Sequence, residues 1–291
     1  MAEPQPSAII RSMQETQDAE LSSPSSPETG IFPRFNILGI RLTATCIPDA
    51  VGKMLTWIRN RERRYVCIFA VGSILECRKN AELSAIANSA DMVLTDGMPL
   101  VWLGRRFGGL AMSRCYGPDT MLALIDAGRK EGIRHYFYGG ASREILDKLK
   151  ENLKSRFPDM IIAGSECPPF RPLTEEEKAG VASRIEESGA DVVWVGIGTP
   201  KQDFWVGEFR KRLSTPLLIA VGAAFNFHAG VVCQAPRWMM KCGLEWLFRL
   251  CVEPKRLWRR YIIGNPKFII GVIRQKLTKN PAPLCEADPR G

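Results

Sequence analysis

From about residue 35 to 234, short apolar runs rich in β-branched residues alternate with longer stretches whose apolar positions recur at helical spacing. The runs at 65–69, 92–94, 135–138, 160–163, 191–195 and 217–221 predict strands. The stretches at 75–88, 121–131, 143–157, 175–187 and 202–213 predict helices. Two of the helices carry start signals. Pro118-Asp119 suits a first turn, and Thr174-Glu175-Glu176-Glu177 places acids at the positive end of a helix.

Strand and helix in this rhythm predict an α/β fold. Its sheet is mostly parallel and Rossmann-like, with helices on both faces. The expected organisation is a disordered tail over 1–34, rich in Ser, Pro, Glu and Gln, and a catalytic domain over 35–236. A basic helical appendage follows over 237–280, and a Pro-rich, disordered end over 281–291. In open parallel sheets ligands bind beyond the C-terminal strand ends. Those ends here are small, polar or glycine-rich: Thr95-Asp96-Gly97, Gly139-Gly140-Ala141, Gly196-Ile197-Gly198-Thr199 and Gly222-Ala223-Ala224.

Charge changes this picture in one place. The chain has 40 Lys and Arg against 31 Asp and Glu, a net charge of +9. Residues 237–279 contain eleven Lys and Arg but only Glu245 and Glu253, so the remainder balances at 29 of each sign. A neutral body thus carries one cationic segment, threaded with Trp246, Leu250, Trp258, Phe268, Ile269 and Ile273. Two helical pieces are expected there, opening near Pro254 and Pro266. The pattern suits an anionic, partly apolar partner, and an anionic membrane surface fits it well. No apolar run reaches the roughly 18 residues of a membrane span, and the acid- and proline-containing N-terminus lacks the apolar core of a targeting segment. The nine cysteines form no C-x-x-C pair and read as free thiols of a reducing cytosol.

Candidate chemistry lies at the strand ends. Asp96 either accepts a proton from a substrate hydroxyl or caps a helix starting near Pro99. The turns at Gly139-Gly140 and Gly196-Ile197-Gly198-Thr199-Pro200 either cradle a diphosphate or simply connect strand to helix. Lys201 and Gln202 follow at once, as ligand contacts or as a solvated first turn. His135 reads as structural, and His228 either lines the crevice or is a hydrogen-bonded structural residue. The two histidines are far apart, and no Asp-x-Asp occurs to hold a divalent ion on a nucleotide diphosphate. The expectation is therefore no metal and no cofactor. Trp102, Trp194 and Trp205 are expected in the core or at its edge.

Taken in order, these pieces resemble the WecG/TagA/CpsF family of bacterial glycosyltransferases. The resemblance runs over roughly 36–270. It rests on Ala90 to Trp102, Arg114-Cys115-Tyr116-Gly117-Pro118-Asp119, Phe137-Tyr138-Gly139-Gly140 and Gly196 to Gln202. It continues through Val221-Gly222-Ala223-Ala224-Phe225, Ala235-Pro236-Arg237-Trp238, Leu244 to Leu250 and Glu253-Pro254-Lys255-Arg256. The resemblance implies an inverting enzyme on the cytoplasmic face of the plasma membrane. It would move an N-acetylmannosamine-type sugar from a UDP-sugar to a polyprenyl-diphosphate-linked sugar, in cell-surface polysaccharide synthesis. It puts the catalytic base on Asp96, a pocket glutamine on Gln202 and a pocket arginine on Arg114, and makes the basic appendage part of the site. Thr95, Asp119, Gly139, Gly140, Gly198, Thr199 and Lys201 join the expected substrate-binding set through these motifs. Arg249, Arg256, Arg259 and Arg260 are the appendage's candidates for diphosphates.

Two positions depart from the family pattern. Where the family often has Thr-x-Asn, this chain has Phe69-Ala70-Val71-Gly72-Ser73, so a polar contact is missing or comes from Ser73. A frequent Phe-Asp is Phe225-Asn226 here, and an amide can bind but cannot act as a base. These changes keep a second reading open, a nucleotide-sugar-binding protein with lost or altered turnover. Nucleic acid ranks last as a partner, because it explains neither the glycine turns nor the neutral body. The oligomeric state is left open, a homo-oligomer included.

Overall fold

A computed structural model describes residues 32–278. Six parallel strands form the central sheet: β3 (Arg64–Phe69), β4 (Met92–Thr95), β5 (Arg134–Gly139), β6 (Ile161–Glu166), β7 (Val192–Gly196) and β8 (Leu217–Ala220). Their order is β4-β3-β8-β7-β5-β6, and every pairing is parallel. The register pairs Phe69 with Thr95, Gly139 with Gly196 and Val195 with Ala220, so the strands finish along one common edge.

Side-chain alternation builds a core on each face. Tyr65, Cys67, Phe69, Val193, Val195 and Leu218 point to one side. Val66, Ile68, Val192, Trp194, Leu217 and Ile219 point to the other. The first face is covered by α2 (Val71–Cys77), α3 (Ala81–Ser89), α7 (Glu175–Glu187) and α8 (Lys201–Phe209). The second is covered by α1 (Ile47–Arg59), α5 (Gly117–Gly128), α6 (Arg143–Arg156) and α9 (Ala224–His228). Helix α4 (Met98–Gly108) follows β4 directly. The acids foreseen at the start of α7 form a full capping box, Thr174 with Glu177.

Several elements differ from expectation. The helix expected over 75–88 is two helices, because Asn80 interrupts it and caps α3 by accepting the Leu83 N–H at 3.0 Å. Residues 32–34 are placed rather than disordered: Arg34 opens the hairpin of β1 (Arg34–Ile37) and β2 (Ile40–Thr43) and donates to the Ala90 carbonyl. The remaining tail expectations, 1–31 and 281–291, lie outside the described residues. Trp194 is buried and Trp205 nearly so, but Trp102 is 46% exposed.

The basic segment folds as α10 (Arg237–Lys241), α11 (Glu245–Val252), α12 (Pro254–Trp258), one π-helical turn (Arg259–Ile263) and α13 (Gly264–Leu277). Pro254 opens α12 as foreseen; Pro266 sits inside the first turn of α13, which begins at Gly264. These helices pack on the body. Leu257 and Phe268 are buried, each contributing about 1.5–3 kcal/mol. Gln275 accepts the Leu38 N–H at 2.8 Å and donates to the Asn36 carbonyl at 3.1 Å, fixing α13 to the hairpin turn.

One core group is at odds with its surroundings. Asp203, in the first turn of α8, is 1% exposed, and neither carboxylate oxygen finds a strong partner. Burial raises its pKa to about 7, only partly opposed by the neighbouring Cys67 thiol and its own backbone. The folded chain therefore keeps a proton that the unfolded chain releases near 4, and stability falls as pH rises through that window. Asp203→Asn is expected to gain stability relative to the parent between pH 5 and pH 8, on the order of 2 kcal/mol. Urea unfolding at both pH values checks this, and a pH-independent difference would contradict it.

Candidate active site

The common strand edge opens into one cavity of about 1690 Å³, beyond the 300–1,000 Å³ usual for a single small ligand. Its walls come from the turns after β3, β4, β5, β7 and β8, from α4, and from the basic helices across the opening.

Asp96 lines this cavity. Its N–H donates to the Phe69 carbonyl at 2.8 Å, extending the β3–β4 ladder by one residue. Helix α4 starts two residues later with Gly97 as N-cap and no side-chain cap bond. The capping role is thus absent, and the carboxylate faces the cavity. Arg114 holds it: Nε donates to the Asp96 carbonyl and Nη2 to Oδ1 at 3.2 Å. Oδ2 accepts no hydrogen bond among the described residues.

The same Nη2 donates to Oε2 of Glu245 at 2.5 Å, and the guanidinium lies 4.2 Å from the Tyr116 ring centre. Burial works against the Arg114 charge, but Asp96 and Glu245 outweigh it and raise the pKa. Burial pushes the Glu245 carboxyl up, and Arg114 pulls against it. The bridge joins the end of β4 to the first residue of α11, so the basic segment is tied to Asp96 through one guanidinium.

The turns after β5 and β7 form another wall. Gly140, Gly198, Thr199 and Lys201 line it. Gly198 adopts φ +85° with open space around its Cα, so its backbone can approach a ligand closely. Gly140 differs: its N–H already donates to the Gly196 carbonyl at 3.2 Å. Gln202 projects from α8, 1% exposed, with Oε1 unpartnered. Gly222, at φ +60°, leaves room for that amide. Tyr138, Trp205 and Phe209 stack at 4.6 and 4.0 Å along this wall.

Ser73, Asn226, Arg249, Arg256 and Arg260 also line the cavity. Arg249 leans on the Phe227 ring at 5.9 Å, and Arg256 pairs with Glu253. Arg260 reaches across to α2, where its guanidinium occupies the space a side chain at Gly72 would take. The departure at Gly72 is therefore matched by a cation from the basic helices.

Four expected residues do not reach the cavity. Thr95 points into the core and is fully buried, as alternation from Asp96 requires. Asp119 pairs with Arg237 at 2.8 Å. Gly139 belongs to the sheet, since a Cβ there would stand 2.6 Å from the Gly196 backbone. Arg259 turns outward over Trp258 at 5.3 Å. His228 is structural, its Nε2 3.0 Å from the Pro118 carbonyl, and buried His135 accepts from Trp194 Nε1 at 3.2 Å. Burial lowers the pKa of His135 to about 3. Glu245, Tyr116 and Trp102 were missed as site residues. Glu245 had a signal, as one of two acids in an otherwise cationic segment.

Fold and crevice together are those of an α/β protein that takes its ligand beyond the C-terminal ends of a parallel sheet. Residues 35–282 match the sequence model of the Glycosyl transferase WecG/TagA/CpsF family, and the chain belongs to that family. It is 30% identical over 201 residues to the N-acetylglucosaminyldiphosphoundecaprenol N-acetyl-beta-D-mannosaminyltransferase of Bacillus spizizenii, covering 69% of this chain and 75% of the relative. The enzyme of the same name from Bacillus subtilis is 27% identical over 201 residues, with the same coverage.

Proposed function

We propose that this protein transfers an N-acetylmannosamine-type sugar from a UDP-sugar to a sugar carried on a polyprenyl diphosphate, with inversion and without a metal. The observation that carries this is Asp96, held through Oδ1 by Arg114 while Oδ2 stays open to the cavity. In the reaction the acceptor hydroxyl oxygen attacks the anomeric carbon, and the bond to the UDP oxygen breaks. Asp96 takes the hydroxyl proton, and UDP leaves with the bonding electrons. One in-line step inverts the anomeric centre and needs no second carboxylate. The leaving diphosphate gathers charge, which Lys201, Arg249, Arg256 and Arg260 are suited to stabilise. Gln202, with its open Oε1, suits an N–H or hydroxyl of the donor. The names of both relatives support a polyprenyl-linked acceptor, and the cavity volume exceeds what one small ligand usually takes.

The reading includes attachment to the inner face of the plasma membrane. Among the described residues no helix is long and apolar enough to cross a membrane. The basic helices nevertheless expose Trp258, Ile263 and Leu277 beside Lys255, Arg259 and Lys267, a combination suited to an anionic surface.

Asp96→Asn should lower kcat/KM about 1,000-fold while UDP still binds, and the parent's product should show the inverted anomer by NMR. Transfer by the variant within about tenfold of the parent would contradict the base assignment. Replacing Lys255, Arg259 and Lys267 together by Gln should weaken binding to anionic vesicles on the order of 100-fold, at about 1 kcal/mol per charge. Unchanged co-sedimentation would refute the membrane role.

A further inference from the structure

Helices α4 and α13 face each other across one end of the cavity. Trp102, Leu103 and Phe107 form a stripe on α4, and Ile269, Val272 and Ile273 form one on α13, both at helical spacing. All six line the same cavity as Asp96. Four of them are large apolar residues left strongly exposed: Trp102 46%, Phe107 41%, Ile269 55% and Ile273 50%. An apolar surface of this kind, continuous with a polar reaction centre, marks a place for an apolar part of a ligand.

The groove has a direction. Helix α4 begins at the Asp96 end, with Met98 and Pro99 in the cavity wall, and reaches Phe107 about 14 Å further on. There the Lys276 ammonium lies over the Phe107 ring, with Arg106 beside it. The far mouth is therefore cationic, the walls are apolar, and the near end holds Asp96 and the Arg260 guanidinium. A sugar-diphosphate-polyprenol has this order of chemistry: hydroxyl, then diphosphate, then hydrocarbon leading to a membrane surface.

We infer that the groove between α4 and α13 binds the first isoprene units of the polyprenyl chain. This rests on the acceptor class proposed above. Isoprenoid contact with the two stripes adds affinity that a bare diphosphate lacks, and it orients the acceptor sugar toward Asp96. The cations at the mouth meet headgroup phosphates where the chain re-enters the bilayer.

Calorimetry on the full chain tests this without requiring turnover. The probes are inorganic diphosphate and the dimethylallyl, geranyl and farnesyl diphosphates, of one, two and three isoprene units. Affinity should rise at least about tenfold from dimethylallyl to farnesyl. Ile269→Asn and Ile273→Asn, both at exposed and neutral positions, should each cut that gain to less than about threefold. Ile270→Asn, exposed but outside the cavity wall, should keep it. Affinity independent of chain length, or an undiminished gain in both groove variants, would overturn the inference and leave the groove to another occupant. A full chain-length gain in a protein that transfers no sugar would uphold the groove and sink the transferase reading instead.

Discussion

The arrangement of this site depends on one guanidinium. Arg114 is pulled between Asp96 at the end of β4 and Glu245 at the start of α11. Its side chain is only 14% exposed, so its charge has lost most of its water. A buried cation is tolerable when paired and hydrogen-bonded, and removing one partner typically costs about 3–5 kcal/mol. If the basic helices leave, Arg114 keeps its bonds to Asp96 but loses the Glu245 contact, the shorter of its two side-chain ion pairs. The trio has a net charge of −1, which leaves Asp96 an open oxygen beside a neutralised pair. The constraint that seats the helices also orients the carboxylate.

The rest of the basic segment follows from that anchor. Phe268 and Leu257 fill the interface, Gln275 ties α13 to the β1–β2 turn, and Arg260 settles over Gly72. The net charge of the chain resides in this segment, which lines the cavity beyond the strand ends. A neutral sheet thus supplies geometry, and the added helices supply positive potential and apolar surface. Under the proposed function, phosphate chemistry and lipid contact fall to the same few turns.

Much of the fold was legible because parallel strands buried on both faces leave continuous apolar runs. All six were found, as was the acidic start of α7. Helix α1 escaped notice, and α4 was weighed only as the helix near Pro99 that Asp96 would cap. Helix α1 has a plain signal, with Ile47, Val51, Met54, Leu55 and Ile58 on one face; α4 carries Gly104 and two arginines in a short run. The β1–β2 hairpin was hidden because its strands have four residues each, too few for a clear alternation. Within the site, the strand-end rule located Asp96, the β7 turn and Gln202. Which residue of a turn faces out could not be read from composition. Thr95 and Gly139 face the wrong way by one position, and Asp119 and Arg259 found nearer partners. Glu245 looked like an isolated acid until its distance to Arg114, 131 residues away in sequence, was known.

The claim that the basic helices complete the active site is tested most directly by a double-mutant cycle on Arg114 and Glu245, read in kcat/KM for sugar transfer. With Arg114→Gln, Glu245→Gln and the double variant, the account predicts that both single changes impair transfer. It also predicts a coupling of at least about 1 kcal/mol between them. Parental transfer rates in Glu245→Gln, with effects that add to within about 0.3 kcal/mol, would contradict it.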